Sequence, residues 1–215
     1  EGVVQTPRYR TWDGSAWSAE SSAQDVGGVV QWISLKAGTA RHEYILGSID
    51  SSNDVNVQVC NGDSSTWGNL QELTTTIASS TARGFDVTYE TTSGDALAVF
   101  CDGDADPQYR VWNGSSWSAP NSINLSSIRN CEWVKLASDP DSDEIILTAR
   151  DNGVQYEAQV WDGSAWSNSL ILGSMAQAAH EGVAVEYEES GDQALVVASN
   201  GSASSFVWSS WSGSA

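Results

Sequence analysis

One ten-residue pattern recurs along this chain, and a fixed period constrains architecture more tightly than any composition does. It reads Tyr9-Arg-Thr-Trp-Asp-Gly-Ser-Ala-Trp17-Ser, then Tyr109-Arg-Val-Trp-Asn-Gly-Ser-Ser-Trp117-Ser, then Ala158-Gln-Val-Trp-Asp-Gly-Ser-Ala-Trp166-Ser. Two degraded copies join these. Val57-Gln-Val-Cys60-Asn-Gly-Asp-Ser-Ser-Thr-Trp67 puts Cys at the place of the first Trp and lengthens the loop by two residues. Ser205-Phe-Val-Trp208-Ser-Ser-Trp211 shortens it. Positions 12, 60, 112, 161 and 208 stand 48, 52, 49 and 47 residues apart, so a unit of about 49 residues fills the 215-residue chain.

Each unit divides into short strands. Runs such as Val29-Val-Gln-Trp-Ile-Ser-Leu-Lys36, Gly84-Phe-Asp-Val-Thr-Tyr89, Cys131-Glu-Trp-Val-Lys-Leu136 and Gly182-Val-Ala-Val-Glu-Tyr187 are β-branched and aromatic. A second run follows each, at Glu43-Tyr-Ile-Leu46, Ala96-Leu-Ala-Val-Phe100, Glu144-Ile-Ile-Leu-Thr148 and Ala194-Leu-Val-Val-Ala198. The Trp pattern supplies the third and fourth strands, its Asp-Gly or Asn-Gly providing the positive φ a tight hairpin needs. No stretch holds a helical period over three turns. The expectation is an all-β, β-propeller-like array of four to five four-stranded antiparallel blades. Residues 1–22 form a partial blade, followed by blades at 23–78, 79–127 and 128–176 and a final one at 177–215. In each, the first strand lines the axis and the Trp hairpin is outermost.

The hairpins resemble the Asp-box turn of sialidase-type propellers and the Trp-rich blades of small lectin propellers of the tachylectin and tectonin types. They depart from the Asp box in having Asp and Gly adjacent, where that motif separates them by one residue. Repeats bearing Trp-Asn/Asp-Gly-Ser-x-Trp are also similar to those of large secreted bacterial and archaeal surface proteins. The resemblance covers nearly the whole chain and is architectural.

Charge narrows the function. Against 9 Lys plus Arg stand 28 Asp plus Glu, a formal net charge of −19, and no basic cluster interrupts it. Nucleic-acid binding is excluded on that ground, and anionic membranes are disfavoured. No apolar run reaches the length of a spanning helix, so membrane insertion is not expected. The chain opens at Glu1 without a basic-plus-apolar leader, which reads as a processed or excised segment. The expected location is extracellular or at the cell surface. Cys60, Cys101 and Cys131 allow at most one internal disulfide, by any of three pairings, and could equally be three small buried hydrophobes.

Candidate ligand-binding residues are the paired indoles Trp12 and Trp17, Trp112 and Trp117, and Trp161 and Trp166, with Arg10 and Arg110 placed to stack over the second Trp. Packing between blades is the favoured role for these Trp, since each large ring buries area that Ser and Gly neighbours cannot; a sugar-stacking platform is the alternative. No cofactor is expected, with calcium the exception: Asp102, Asp104 and Asp106, and Asp139, Asp141 and Asp143, place oxygens at alternate positions, although turn chemistry alone explains them. Sequons occur at Asn113, Asn124 and Asn200. Catalytic constellations are nearly absent: His42 and His180 are the only histidines and lack metal-ligand spacing. The expected function is therefore a secreted, non-enzymatic structural or adhesive protein, a subunit of an extracellular filament or surface assembly. A carbohydrate-binding lectin propeller is the alternative, and glycans its partners. Eighteen strands are expected, two from the first hairpin and sixteen from the rest. Because that is not a multiple of four, one hairpin lacks a partner pair, and head-to-tail pairing with copies of the same chain follows from its open edge.

Overall fold

A computed structural model describes residues 5–77, 79, 81–104, 106–174, 180–201 and 205–213. Every regular element among them is a strand. The first blade consists of β1 (Arg8–Tyr9) and β2 (Ser21–Ser22), extended by an antiparallel bridge between Trp12 and Trp17. Three four-stranded meanders follow. The second blade holds β3 (Val30–Gly38), β4 (Glu43–Asp50), β5 (Val55–Asn61) and β6 (Thr66–Thr74). The third holds β7 (Phe85–Tyr89), β8 (Ala96–Phe100), β9 (Gln108–Trp112) and β10 (Asn121–Ser122). The fourth holds β11 (Cys131–Ser138), β12 (Ile145–Asp151), β13 (Gln155–Trp161) and β14 (Trp166–Ser174), and the fifth β15 (Val183–Tyr187), β16 (Ala194–Ser199) and β17 (Phe206–Trp211). This is the all-β propeller-like array that the repeat implies. β3 packs on β7, β7 on β11 and β11 on β15, so the first strands are innermost and the Trp hairpins outermost.

The fifth blade departs from the expected count. Among the described residues it has three strands, for seventeen in all rather than eighteen. Ser209 and Ser210, between the two Trp, offer no residue suited to a tight turn, so residues 206–211 run straight along β16 as one strand. Ser204, where the hairpin is expected to begin, lies outside the described residues. Register then corrects the repeat itself. Ala194 faces Trp211 as Ala96 faces Trp112, Ile145 faces Trp161 and Tyr44 faces Cys60. Trp211, not Trp208, therefore holds the place of the first Trp, and Trp208 holds that of Tyr9 and Tyr109.

The core lies between blades. Ile45, Val57 and Val59 of the second blade meet Phe85, Val87 and Trp112 of the third. Leu97 and Val99 meet Val134, Leu136, Leu147 and Trp161 of the fourth, whose opposite face buries Ile146, Tyr156 and Val160 against Val185 and Val196 of the fifth. A disulfide between Cys101, just after β8, and Cys131, the first residue of β11, ties the third blade to the fourth; Cys60 is free and buried.

Candidate functional site

The hairpin tips are built alike. In the first blade Asp13 Oδ1 accepts the backbone N–H groups of Ser15 (2.8 Å) and Ala16 (2.7 Å). Asp162 does the same for Ser164 and Ala165, and Asn113 for Ser115 and Ser116. The glycine that follows has φ of 98°, 90° and 87° respectively, which a side chain would resist. These turns bring the paired rings together, with centroids 5.4 Å apart for Trp12 and Trp17 and 5.5 Å for each of the other pairs.

What surrounds the pairs differs by blade. Trp112 is 2 % exposed and donates from Nε1 to Glu43 Oε2 of the preceding blade at 3.0 Å. Trp161 donates to Glu90 Oε1 (2.6 Å) and Trp211 to Glu144 Oε2 (3.0 Å) in the same sense. Burial pushes the Glu90 carboxyl up despite bonds from Ser93 and Trp161. Trp117 and Trp166 are half-buried beside their partners, and Trp117 Nε1 donates to the Asn69 carbonyl at 3.0 Å. Trp112 and Trp161 are therefore pegs between blades and present no face to a ligand. The two candidate arginines do not stack as expected: Arg10 and Arg110 donate from Nη1 to the carbonyls of Ser18 (3.0 Å) and Ser118 (3.2 Å), bracing the hairpin instead. The cation–π contact found among the described residues is Arg150 over Trp133.

The first blade breaks the pattern. Trp12 and Trp17 are 54 % and 65 % exposed. Where the second blade should offer a Trp to its predecessor it offers Cys60, whose thiol burial pushes up. At the junction of the third and fourth blades, Tyr109 packs on both Trp161 and Trp166, at 5.5 and 5.9 Å. At the junction of the first and second, Tyr9 packs on Trp67 (5.7 Å) and its hydroxyl donates to the Ser65 carbonyl, but the second blade supplies no second indole, Cys60 standing in its place. The missing ring leaves a cavity of about 310 Å³ lined by Tyr9, Arg10, Trp12, Tyr44, Cys60 and Trp67, among others. Of these the sequence marked Trp12 and Arg10 as ligand residues. Tyr9, Tyr44 and Trp67 were missed, although a Cys in a Trp position was the visible signal. Aromatic faces with a guanidinium at the rim suit the C–H face and hydroxyls of a saccharide.

The acidic loops turn their oxygens inward. Asp102 Oδ1 accepts Asp104 N–H (3.1 Å), Asp106 Oδ1 accepts Leu125 N–H (3.1 Å), and Asp139 Oδ1 accepts Asp141 N–H (3.0 Å). Asp143 Oδ1 accepts Thr92 and Ser93 N–H from the third blade. Among the described residues no three of His, Cys, Asp and Glu converge as a metal would require, so neither loop is brought together as a calcium site. Asn124 and Asn200 are exposed, and Asn113, also exposed, has its side-chain oxygen engaged in the turn. Along the axis, carboxylates are paired: Asp86 accepts Ser34 Oγ (2.6 Å) and Leu136 N–H (3.0 Å), while Glu181 meets Lys135 and Glu132 meets Arg150.

No family model matches this chain, and none of the curated proteins matches its sequence. Solved structures do share its fold. BP39L lectin from Burkholderia pseudomallei aligns with a TM-score of 0.61 at 10 % identity, over 93 % of this chain and 57 % of that one. SapL1 lectin, in complex with alpha methyl fucoside, aligns at 0.59 and 18 % identity, over 96 % of this chain and 69 % of that one. A leech intramolecular trans-sialidase aligns at 0.52 and 14 % identity, over 94 % of this chain and 36 % of that one. Two GH62 alpha-L-arabinofuranosidases and a GH62 hydrolase align below 0.5, and the chain spans less than two thirds of their length, 63–65 %. The expectation of a non-enzyme is corrected by the leech trans-sialidase: an enzyme stands among the structural neighbours beside the lectins, and the fold does not separate binding from catalysis. The chain has the propeller fold that lectins of this kind use.

Proposed function

We propose that this chain binds carbohydrate, and that the Cys60 cavity between its first and second blades is the site. The observation that carries this is the vacancy: three equivalent positions hold a Trp whose indole N–H bonds a Glu of the preceding blade, buried at Trp112 and Trp161 and half-buried at Trp211, and the fourth holds a Cys beneath Tyr9, Tyr44 and Trp67. Stacking of a sugar ring on Trp67 or Tyr44 replaces the absent indole, and Arg10 and the Tyr9 hydroxyl lie at hand for its polar rim. The shared architecture of BP39L and SapL1 supports carbohydrate binding over a purely structural or adhesive role. Location outside the cell agrees with the Cys101–Cys131 disulfide, which persists in oxidising compartments.

Glycan-array screening followed by titration of Trp fluorescence tests the site. Cys60→Trp restores the ring that the other blades carry, so it leaves the fold intact and abolishes saccharide binding; Trp67→Ala weakens binding by tenfold or more, on the order of 1.4 kcal/mol. Undiminished affinity in Cys60→Trp overturns the assignment.

A further inference from the structure

The contact between successive blades repeats, and two halves of it stand open. In the third blade Leu97, Val99 and Tyr109 lie under Trp161 and Trp166 of the fourth, while Glu90, following the Tyr that ends β7, accepts the Trp161 Nε1–H. The fifth blade carries the same half-contact, with nothing upon it among the described residues. Leu195 and Val197 stand at the register positions of Leu97 and Val99, and Trp208, 69 % exposed, at that of Tyr109. Glu188 follows the Tyr that ends β15, and its N–H bonds the Gln193 carbonyl as Glu90 N–H bonds that of Asp95. Together Glu186, Glu188, Leu195 and Trp208 border an open cavity of about 520 Å³. The missing complement is a Trp pair of the Trp161–Trp166 kind, and this chain has one to spare: Trp12 and Trp17, exposed on the first blade.

We propose that the outward face of the fifth blade receives the Trp12–Trp17 hairpin of a second copy of this chain. Trp17 covers Trp208 and Leu195 as Trp166 covers Tyr109, and Trp12 Nε1 donates to Glu188 as Trp161 does to Glu90. The occupant is argued from continuity with contacts the molecule already makes: a Trp-to-Glu bond at three junctions, and a covering Trp pair at two of them. It joins face to face, unlike the edge-to-edge strand pairing expected from sequence. Both halves differ in kind, so the contact is heterologous and repeats from copy to copy unless its rotation closes a ring.

Sedimentation velocity over a concentration series decides this. The unaltered chain is expected to exceed its 22.9 kDa monomer mass as concentration rises, with Leu195→Glu and Trp17→Ala each weakening association by about tenfold or more. Mixed at equal concentration, the two variants retain one intact half each and form a heterodimer that grows no further. Trp208→Ala, which removes an exposed side chain, stands in where Leu195→Glu fails to fold. A monodisperse monomer at every concentration, assembly indifferent to these changes, or no heterodimer on mixing overturns the proposal. Trp208 stands on the fifth blade and does not line the Cys60 cavity, so Trp208→Ala leaves saccharide binding unchanged while weakening association, and the two proposals fail separately.

Discussion

At the scale of the residue, one motif yields opposite environments. Trp12 and Trp112 occupy the same place in nearly identical decapeptides, yet the first is mostly exposed and the second is buried and hydrogen-bonded to Glu43. Trp112→Ala therefore removes a core aromatic and leaves Glu43 without its donor, costing about 3–5 kcal/mol of stability. Trp12→Ala stays within about 1 kcal/mol, as exposed substitutions do. Urea denaturation of the two variants checks the contrast, and equal midpoints would refute the assignment of Trp112 as a peg.

At the scale of the element, the hairpin tips tie stability to pH. The Ser164 hydroxyl and the N–H groups of Ala165 and Ser164 hold the Asp162 carboxyl below its ordinary value of 3.8, and the Ala16 and Ser15 N–H groups do so for Asp13. A carboxyl whose folded pKa is depressed adds stability above its unfolded pKa and loses it as pH falls through the folded one. Thermal melts are expected to drop between about pH 4 and pH 2. Replacing both by Asn keeps the turn, as Asn113 shows, and so preserves stability at pH 7 while flattening the acid loss. An acid loss of unchanged steepness would place its cause elsewhere. Tip chemistry was legible in the sequence because it is local: each Asp-Gly-Ser needs only its own backbone. The single strand of residues 206–211 was not, because two Trp three residues apart mimic a shortened hairpin, and only pairing along β16 distinguishes them.

At the scale of the whole molecule, stability comes from blade on blade, and the Cys101–Cys131 disulfide staples one such junction across 30 residues of chain. Replacing both cysteines by Ala frees that loop in the unfolded state and costs about 3 kcal/mol. The melting temperature then falls by roughly 6–12 °C. Calorimetry checks it, and a shift of less than about 2 °C would show the inter-blade core alone holding the junction.

The sequence by itself determined the period, the strands, the turn chemistry and hence the propeller-like array, all of which rest on alternation and on backbone conformations set within a few residues. Tertiary structure decided the rest. Which Trp is buried depends on whether another blade lies against it; which cysteines pair depends on blade contact that brings their Cα atoms to 5.3 Å. Cys60 shows the division most plainly. Its place in the repeat was visible in the chain, but that a small side chain there opens a cavity follows only from the rings around it, since a void belongs to the packing of several segments and to no single one.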